Sequence, residues 1–301
     1  MINRFKGCLL GLACGDAVGT TLEFSTRGDF IPITDMIGGG PFRLQPGQWT
    51  DDTSMALCLA MSLLQRKCFD PIDQMNRYCN WYQYGYNSST GTCFDIGLTI
   101  STSLQDFMLT KNPFSGPSSP RTAGNGGIMR LAPIPMYFFN DEDSAVFFSG
   151  ESNRTTHGAD ETIQCARLFG KMLRMALNGQ SKEEILFKNG YNSRLFNVQD
   201  LAEGRYVNKP IYEINGTGYV MQSLEAALWC FANTTNFRDA VLTAANLGDD
   251  ADTTAAIVGQ LAGAHYGVDD IPTNWLNLLT KSREIEQLAV DLFEQRFVYD
   301  Q

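Results

Sequence analysis

The sequence predicts an all-α protein. From Asp51 onward apolar residues recur at three- and four-residue spacing, and no convincing run of alternating apolar and polar residues marks a strand. An apolar content of 44 % over 301 residues is ample for a large core.

The elements follow in chain order. The N-terminus, Met1-Ile2-Asn3-Arg4-Phe5-Lys6 and then Gly7 to Cys14, superficially resembles a short secretory leader. Its apolar stretch is short, is broken by glycine and runs straight into Gly15-Asp16-Ala17-Val18-Gly19, so it reads as part of the folded domain. Met55, Leu59 and Leu63 mark the first helical face. Cys165, Leu168, Phe169, Met172, Leu173 and Ala176 mark another. Further helical patterns cover 73–83, 96–108, 126–138, 220–232, 236–246, 252–266 and 284–296. Loops rich in Gly, Pro, Ser and Asn fall at 37–48, 111–125 and 203–218. None has the character of a domain linker, and Gly204 to Pro210 reads as a surface loop rather than a short strand. A single domain over 1–301 is expected, with no repeat and no segment long and apolar enough to span a membrane.

The formal net charge of −10 argues against nucleic acid and anionic membranes as partners, because no excess of Lys and Arg is available to neutralise phosphates. The eight cysteines are scattered with no Cys-x-x-Cys spacing, which suits free thiols in a reducing cytoplasm better than a disulfide framework or a thiolate zinc site. Of the two histidines, His265 lies in an Ala/Gly-rich helical pattern and reads as structural.

Two acidic clusters stand at helix starts. Thr50-Asp51-Asp52-Thr53 follows the turn signal Pro46-Gly47, and Asp249-Asp250-Ala251-Asp252-Thr253-Thr254 follows Leu247-Gly248. N-capping accounts for one or two of these acids, but not for several carboxylates that repel one another. No Lys or Arg occurs from Leu44 to Gln65 or from Asp239 to Thr280, so sequence neighbours supply no compensating charge. Hard divalent cations take such carboxylate and hydroxyl oxygens without His or Cys. If the clusters meet in space they can hold two cations roughly 3.5–4 Å apart, as in two-metal hydrolytic sites.

Read together with Gly15 to Gly19 and with Gly124-Asn125-Gly126-Gly127-Ile128-Met129-Arg130-Leu131-Ala132-Pro133, these clusters resemble the ADP-ribosylglycohydrolase family over nearly the whole chain. Within it, Ser89-Thr90-Gly91-Thr92-Cys93-Phe94-Asp95-Ile96-Gly97 is similar to the bacterial dinitrogenase reductase-activating branch, which cleaves ADP-ribosyl-arginine. The resemblance implies an orthogonal multi-helix domain, a dinuclear Mg²⁺ or Mn²⁺ centre at the base of an ADP-ribose cleft, an ADP-ribosylated protein as substrate, and a monomeric cytoplasmic enzyme. It assigns the metal ligands to Thr50, Asp51, Asp52, Asp250, Asp252 and Thr253, with Asp249 as a neighbour. Glu23 matches an acid beside the metals, and Asp95 matches the essential acid beside the scissile ribose carbon. Asn125, Gly126, Gly127, Met129 and Arg130 match the segment that holds ribose and diphosphate, and His157 and Tyr219 match residues of the same cleft.

Each assignment has a plainer alternative: a helix cap for Asp95, an ordinary turn for 124–130, capping or packing for His157, and a core position for Tyr219. Three alternatives to the activity also stand: an ADP-ribose-binding relative without catalysis, a hydrolase of another ADP-ribose linkage, and a two-metal phosphohydrolase that cuts the diphosphate.

Overall fold

The computed structural model describes residues 1–295. In chain order the helices are α1 (Ile2–Gly19), α2 (Asp51–Arg66), α3 (Pro71–Tyr84), α4 (Leu98–Thr110), α5 (Pro133–Tyr137), α6 (Glu142–Arg154) and α7 (Asp160–Leu177). They continue with α8 (Lys182–Phe187), α9 (Phe196–Ala202), α10 (Val220–Ala232), α11 (Phe237–Ala245), α12 (Ala251–Tyr266), α13 (Thr273–Leu278) and α14 (Ser282–Gln295). Among the described residues there is no strand, only two isolated bridges, Gly39 to Leu44 and Gly124 to Tyr219.

The stretch with leader-like composition is helix α1, buried without interruption from Gly7 to Gly19. Every fourth residue, Gly7, Gly11, Gly15 and Gly19, faces the backbone of α12 at Gly263, Gly259, Ala255 and Ala251 respectively. The two helices therefore run antiparallel at a separation that leaves no room for Cβ atoms. This pair forms the centre of the molecule. Helices α2, α7, α10, α11 and α14 pack around it, and α6 packs on α7. The antiparallel crossing places the C-terminal end of α1 beside the N-terminal end of α12, where the first and last parts of the site meet.

Several expected boundaries move. Residues 126–130 form turns, and only Pro133–Tyr137 of the expected 126–138 helix is helical, because Gly126 and Gly127 weaken the helix before Pro133 can open one. Helix α4 starts at Leu98, with Gly97 at its N-cap. Helices α6, α8, α9 and α13 form where no helical pattern stood out; α6 is started by Asp141, which accepts from Ser144 N–H. Residue 296 of the expected last helix lies outside the described residues. The loops at 37–48, 111–125 and 203–218 carry only short 3₁₀ turns at Pro120–Thr122 and Ile211–Glu213 and residues of the two isolated bridges, and the 204–210 segment is not a strand. No described helix is long and apolar enough to cross a membrane.

Candidate active site

Neither N-cap residue caps its own helix with its side chain. Thr50 at the N-cap of α2 and Asp250 at the N-cap of α12 make no side-chain capping bond. Acids from the N-terminal segment do that work. Asp16 near the end of α1 accepts from Thr50 N–H at 2.8 Å and from Thr53 N–H at 3.0 Å. Glu23, just beyond α1, accepts from Ala251 N–H at 2.9 Å and from Asp252 N–H at 3.3 Å. The acids in the first turns of α2 and α12 thereby face one another, although Asp252 Oδ1 also accepts from Thr253 N–H at 2.7 Å.

Around Asp252 the carboxylates fall into two groups. Oxygens of Asp16, Asp52 and Asp252 lie within 4.8 Å of one another, and so do those of Glu23, Asp250 and Asp252. The Thr50 hydroxyl sits among the first three, 2.9 Å from Asp16 Oδ1, 3.0 Å from Asp252 Oδ2 and 3.3 Å from Asp52 Oδ2. With one proton it can donate to only one at a time. The Thr53 hydroxyl donates to Asp16 Oδ2 at 2.6 Å.

The electrostatic cost is visible in the titration of these groups. Burial, and then the negative charge of Asp252, raises Asp16 and Asp250 to about 7 and Asp95 to about 11. The same two causes push Glu23 and Asp51 up, and burial with Asp16 beside it pushes Asp52 up. Among the described residues none of these carboxylates is in an ion pair, and Asp52 Oδ1 is buried with no hydrogen-bond partner. A compact set of buried oxygens without a counter-charge fits hard divalent cations, which would favour the ionised forms.

Above the carboxylates is a cleft of about 300 Å³. Ile96 to Ile100, Gly124, Asn125, Gly126, Met129, His157 and Gly218 line it, with Glu23, Phe24, Asp51, Asp95, Asp250, Asp252 and Thr253. Asn125 Nδ2 donates to Asp250 Oδ2 at 2.8 Å and to Ser223 Oγ at 3.1 Å, which ties the glycine segment to α12. Gly124 and Gly126 lie against the His157 imidazole; a Cβ at Gly126 would come within 2.7 Å of His157 Cε1. Asp95 does not cap α4, whose N-cap is Gly97, and its backbone is left-handed at φ 58°.

The hydrogen bonding of His157 runs through Thr156. Fully buried Arg130 donates to Thr156 Oγ1 at 2.6 Å, and that oxygen lies 2.9 Å from His157 Nδ1. Arg130 can only donate, which leaves the Thr156 hydroxyl proton available to Nδ1 and favours the tautomer with the ring proton on Nε2, the nitrogen facing Gly124. Burial and the Arg130 charge hold the ring neutral, with its pKa down at about 3.

Two expected substrate contacts lie behind the cleft wall. Arg130 does not line the cavity; it donates to Gly126 O at 2.9 Å and stacks 4.7 Å from the Tyr78 ring centroid. Gly127 faces Asn153, whose Oδ1 would be 1.7 Å from an added Cβ. Both shape the segment from within. Tyr219 does not line the cavity either; its backbone pairs with Gly124 and its hydroxyl donates to Glu161 Oε2 at 2.8 Å. Asp249 is exposed and bonded through its backbone to Phe24 and Ser25. Sequence reasoning missed Asp16 as a member of the cluster and Thr156 as the partner of His157. An acid between two helix-facing glycines, and a Thr directly before the histidine, were the available signals.

Residues 1–301 match the family model for ADP-ribosylglycohydrolase. The chain belongs to the ADP-ribosylglycohydrolase family. Enzymes of this family cleave glycosidic bonds to ADP-ribose, and the chain is such a hydrolase. ADP-ribosylarginine hydrolase Tri1 of Pseudomonas putida is 45 % identical over 294 residues, covering 98 % of this chain and 79 % of the relative. ADP-ribosyl-[dinitrogen reductase] glycohydrolase of Rhodospirillum rubrum is 31 % identical over 288 residues, covering 94 % and 92 %. A solved structure described as an ADP-ribosylglycohydrolase-related protein complex is 40 % identical, with a TM-score of 0.85 and 98 % of both chains covered. In this ADP-ribosylglycohydrolase Glu23, Asp250 and Asp252 of the acids gathered around Asp252 also line the cleft.

Proposed function

We propose that this protein hydrolyses the N-glycosidic bond between ADP-ribose and an arginine side chain of a modified protein, using two divalent cations, Mg²⁺ or Mn²⁺. The observation that carries the reading is the pair of carboxylate groups sharing Asp252 under a cleft, in a chain 45 % identical to an ADP-ribosylarginine hydrolase. Thr50, Asp51, Asp52, Asp250, Asp252 and Thr253, with Asp16 and Glu23, would hold the cations. When bound, these supply positive charge toward the ribose hydroxyls and the attacking water.

The rest is done by the chain. Gly124 to Gly126 let the substrate approach the backbone closely, Met129 completes that wall, and the Nε2–H of neutral His157 donates to a ribose or diphosphate oxygen. Tyr219 closes the rim, while Gly127 and Arg130 hold the wall in place. Hydrolysis joins water oxygen to the anomeric carbon as the bond from that carbon to nitrogen breaks. One proton leaves the water and one reaches the departing guanidine nitrogen. Asp95, beside Asp51 and Asp252, serves that transfer, and its raised proton affinity suits it to hold a proton near neutral pH. The whole chain acts as one domain and as a monomer, and its eight free thiols suit the reducing cytoplasm. The charge of −10 turns it away from nucleic acid and membranes, and its partner is protein-linked ADP-ribose, recognised in the cleft rather than by the overall field.

The test is release of ADP-ribose from arginine-ADP-ribosylated protein by chelator-stripped enzyme, with and without added Mg²⁺ or Mn²⁺. Metal-dependent release of intact ADP-ribose is expected. AMP with ribose phosphate would identify a diphosphate hydrolase, and tight ADP-ribose binding without release would identify a non-catalytic relative or another linkage.

A further inference from the structure

An aromatic group at the mouth of the cleft has no part in the chemistry so far. Phe24 lines the cleft and is 68 % exposed. Its backbone is left-handed at φ 61°, a conformation that bulky L residues rarely adopt. Two backbone bonds hold it there: Phe24 N–H donates to Asp249 O at 2.8 Å, and Asp249 N–H donates to Ser25 O at 2.9 Å. The Phe24 ring meets Phe42 edge-on at 6.3 Å, and Phe42 meets Phe94 at 5.3 Å. An exposed ring on a strained backbone gains nothing for the core, and such strain persists where a site uses it.

The position says what the rings face. Phe24 follows Glu23 and Phe94 precedes Asp95, so the aromatic group borders the acids beside the scissile bond. Gly124, Gly126 and His157 line the same cleft, with the His157 ring against both glycines. With the ribose over the carboxylates, the group that leaves past Asp95 passes these rings, whereas adenine lies at the far end of ADP-ribose. A guanidinium is planar, cationic and weakly hydrated, and it stacks on aromatic faces. We propose that Phe24, supported by Phe42 and Phe94, is the receptor for the guanidinium of the modified arginine and selects this linkage over uncharged ones. The proposal rests on the arginine-hydrolase reading above.

The experiment compares full-length Phe24→Leu, Phe94→Leu and Phe24→Tyr with wild type. Three quantities are read: kcat/KM on arginine-ADP-ribosylated protein, inhibition by agmatine as a small guanidinium, and the Kd of free ADP-ribose. A cation over an exposed ring gives roughly a five-fold effect. Both leucine variants are therefore expected to lose about five-fold in kcat/KM and in agmatine inhibition while keeping ADP-ribose affinity within about two-fold; Phe24→Tyr stays near wild type. Unchanged kcat/KM in the leucine variants, with an active wild type, overturns the aromatic receptor and leaves the hydrolase reading standing. An equal loss of ADP-ribose affinity overturns it by assigning the rings to the nucleotide. A wild type that binds ADP-ribose but does not release it from arginine removes the functional reading and the receptor with it.

Discussion

Replacing Gly15 by alanine tests whether the α1–α12 contact sets the geometry of the carboxylate site. A Cβ at Gly15 would sit 2.1 Å from Ala255 O and 2.6 Å from Ala255 C. An ordinary C···O contact is about 3.3 Å, so the helices must part by about 1.2 Å at this point. The obstacle is backbone, so no side chain can swing away. Overpacking of this kind costs about 1–3 kcal/mol, and the better helix propensity of alanine returns only about 1 kcal/mol. A fall in Tm of a few degrees is expected, at roughly 2–4 °C per kcal/mol for a chain of this order of size. The effect on the site is larger. Asp16 is the next residue, and its oxygens belong to the group with Asp52 and Asp252. Ligand distances in a metal site tolerate only about 0.2 Å. The affinity of chelator-stripped protein for Mn²⁺ should therefore fall at least about ten-fold, as read by titration calorimetry beside a thermal melt. Gly7→Ala makes a similar clash, 2.2 Å from Gly263 O, but two helical turns farther from Asp16. It should lose stability with much less effect on Mn²⁺ binding. A Gly15→Ala protein that melts like wild type and binds Mn²⁺ equally well would refute the reasoning.

Further outcomes follow from the site. Asp95→Asn should keep Mn²⁺ binding and abolish turnover; near-normal turnover removes Asp95 from proton transfer. Asp252→Ala, which deletes the member common to both carboxylate groups, should reduce bound metal, and unchanged metal content by elemental analysis would break the ligand assignment. Thr156→Val leaves His157 Nδ1 and Arg130 without their shared hydroxyl, so kcat should fall about ten-fold and stability by about 1–3 kcal/mol. Thr156→Ser should rescue both, and unchanged imidazole ¹⁵N shifts in the valine variant would deny the tautomer lock. In chelator-stripped protein Asp16 and Asp250 are raised from 3.8 to about 7, so between these values the folded state keeps protons that the unfolded state has lost. Stability should drop as pH rises from about 4 to about 7, most steeply midway between the two values, with Mn²⁺ opposing the drop; a Tm that rises over this window without metal would contradict the assigned shifts.

The two acidic clusters were legible because like charges gathered without a neighbouring base have few physical explanations. Helices α2, α7, α10 and α12 were legible in outline from apolar spacing and turn residues. Helix α1 was obscure because it is buried on every side over most of its length, which removes the polar face that normally betrays a helix and leaves a composition like a leader. Asp16 was hidden for the same reason, a lone acid whose value depends on a helix from the far end of the chain. Arg130 beside a glycine segment looked like an anion ligand, but only the fold shows its guanidinium turned inward onto Tyr78 and Thr156. The glycines at 126 and 127 weaken a helix that the apolar spacing alone suggested.

The helix cap that Glu23 gives to Ala251 joins residues 228 positions apart. During synthesis, α1 emerges from the ribosome with a bare glycine face, followed by Glu23, whose backbone partners lie on α12. Its partner helix follows only after most of the domain has been translated. Contacts of such sequence separation carry a large loop-closure cost and form late. A nascent or truncated chain lacking α12 therefore has neither a complete carboxylate group nor a cleft floor, and catalytic competence arrives in one step when the last central helix docks.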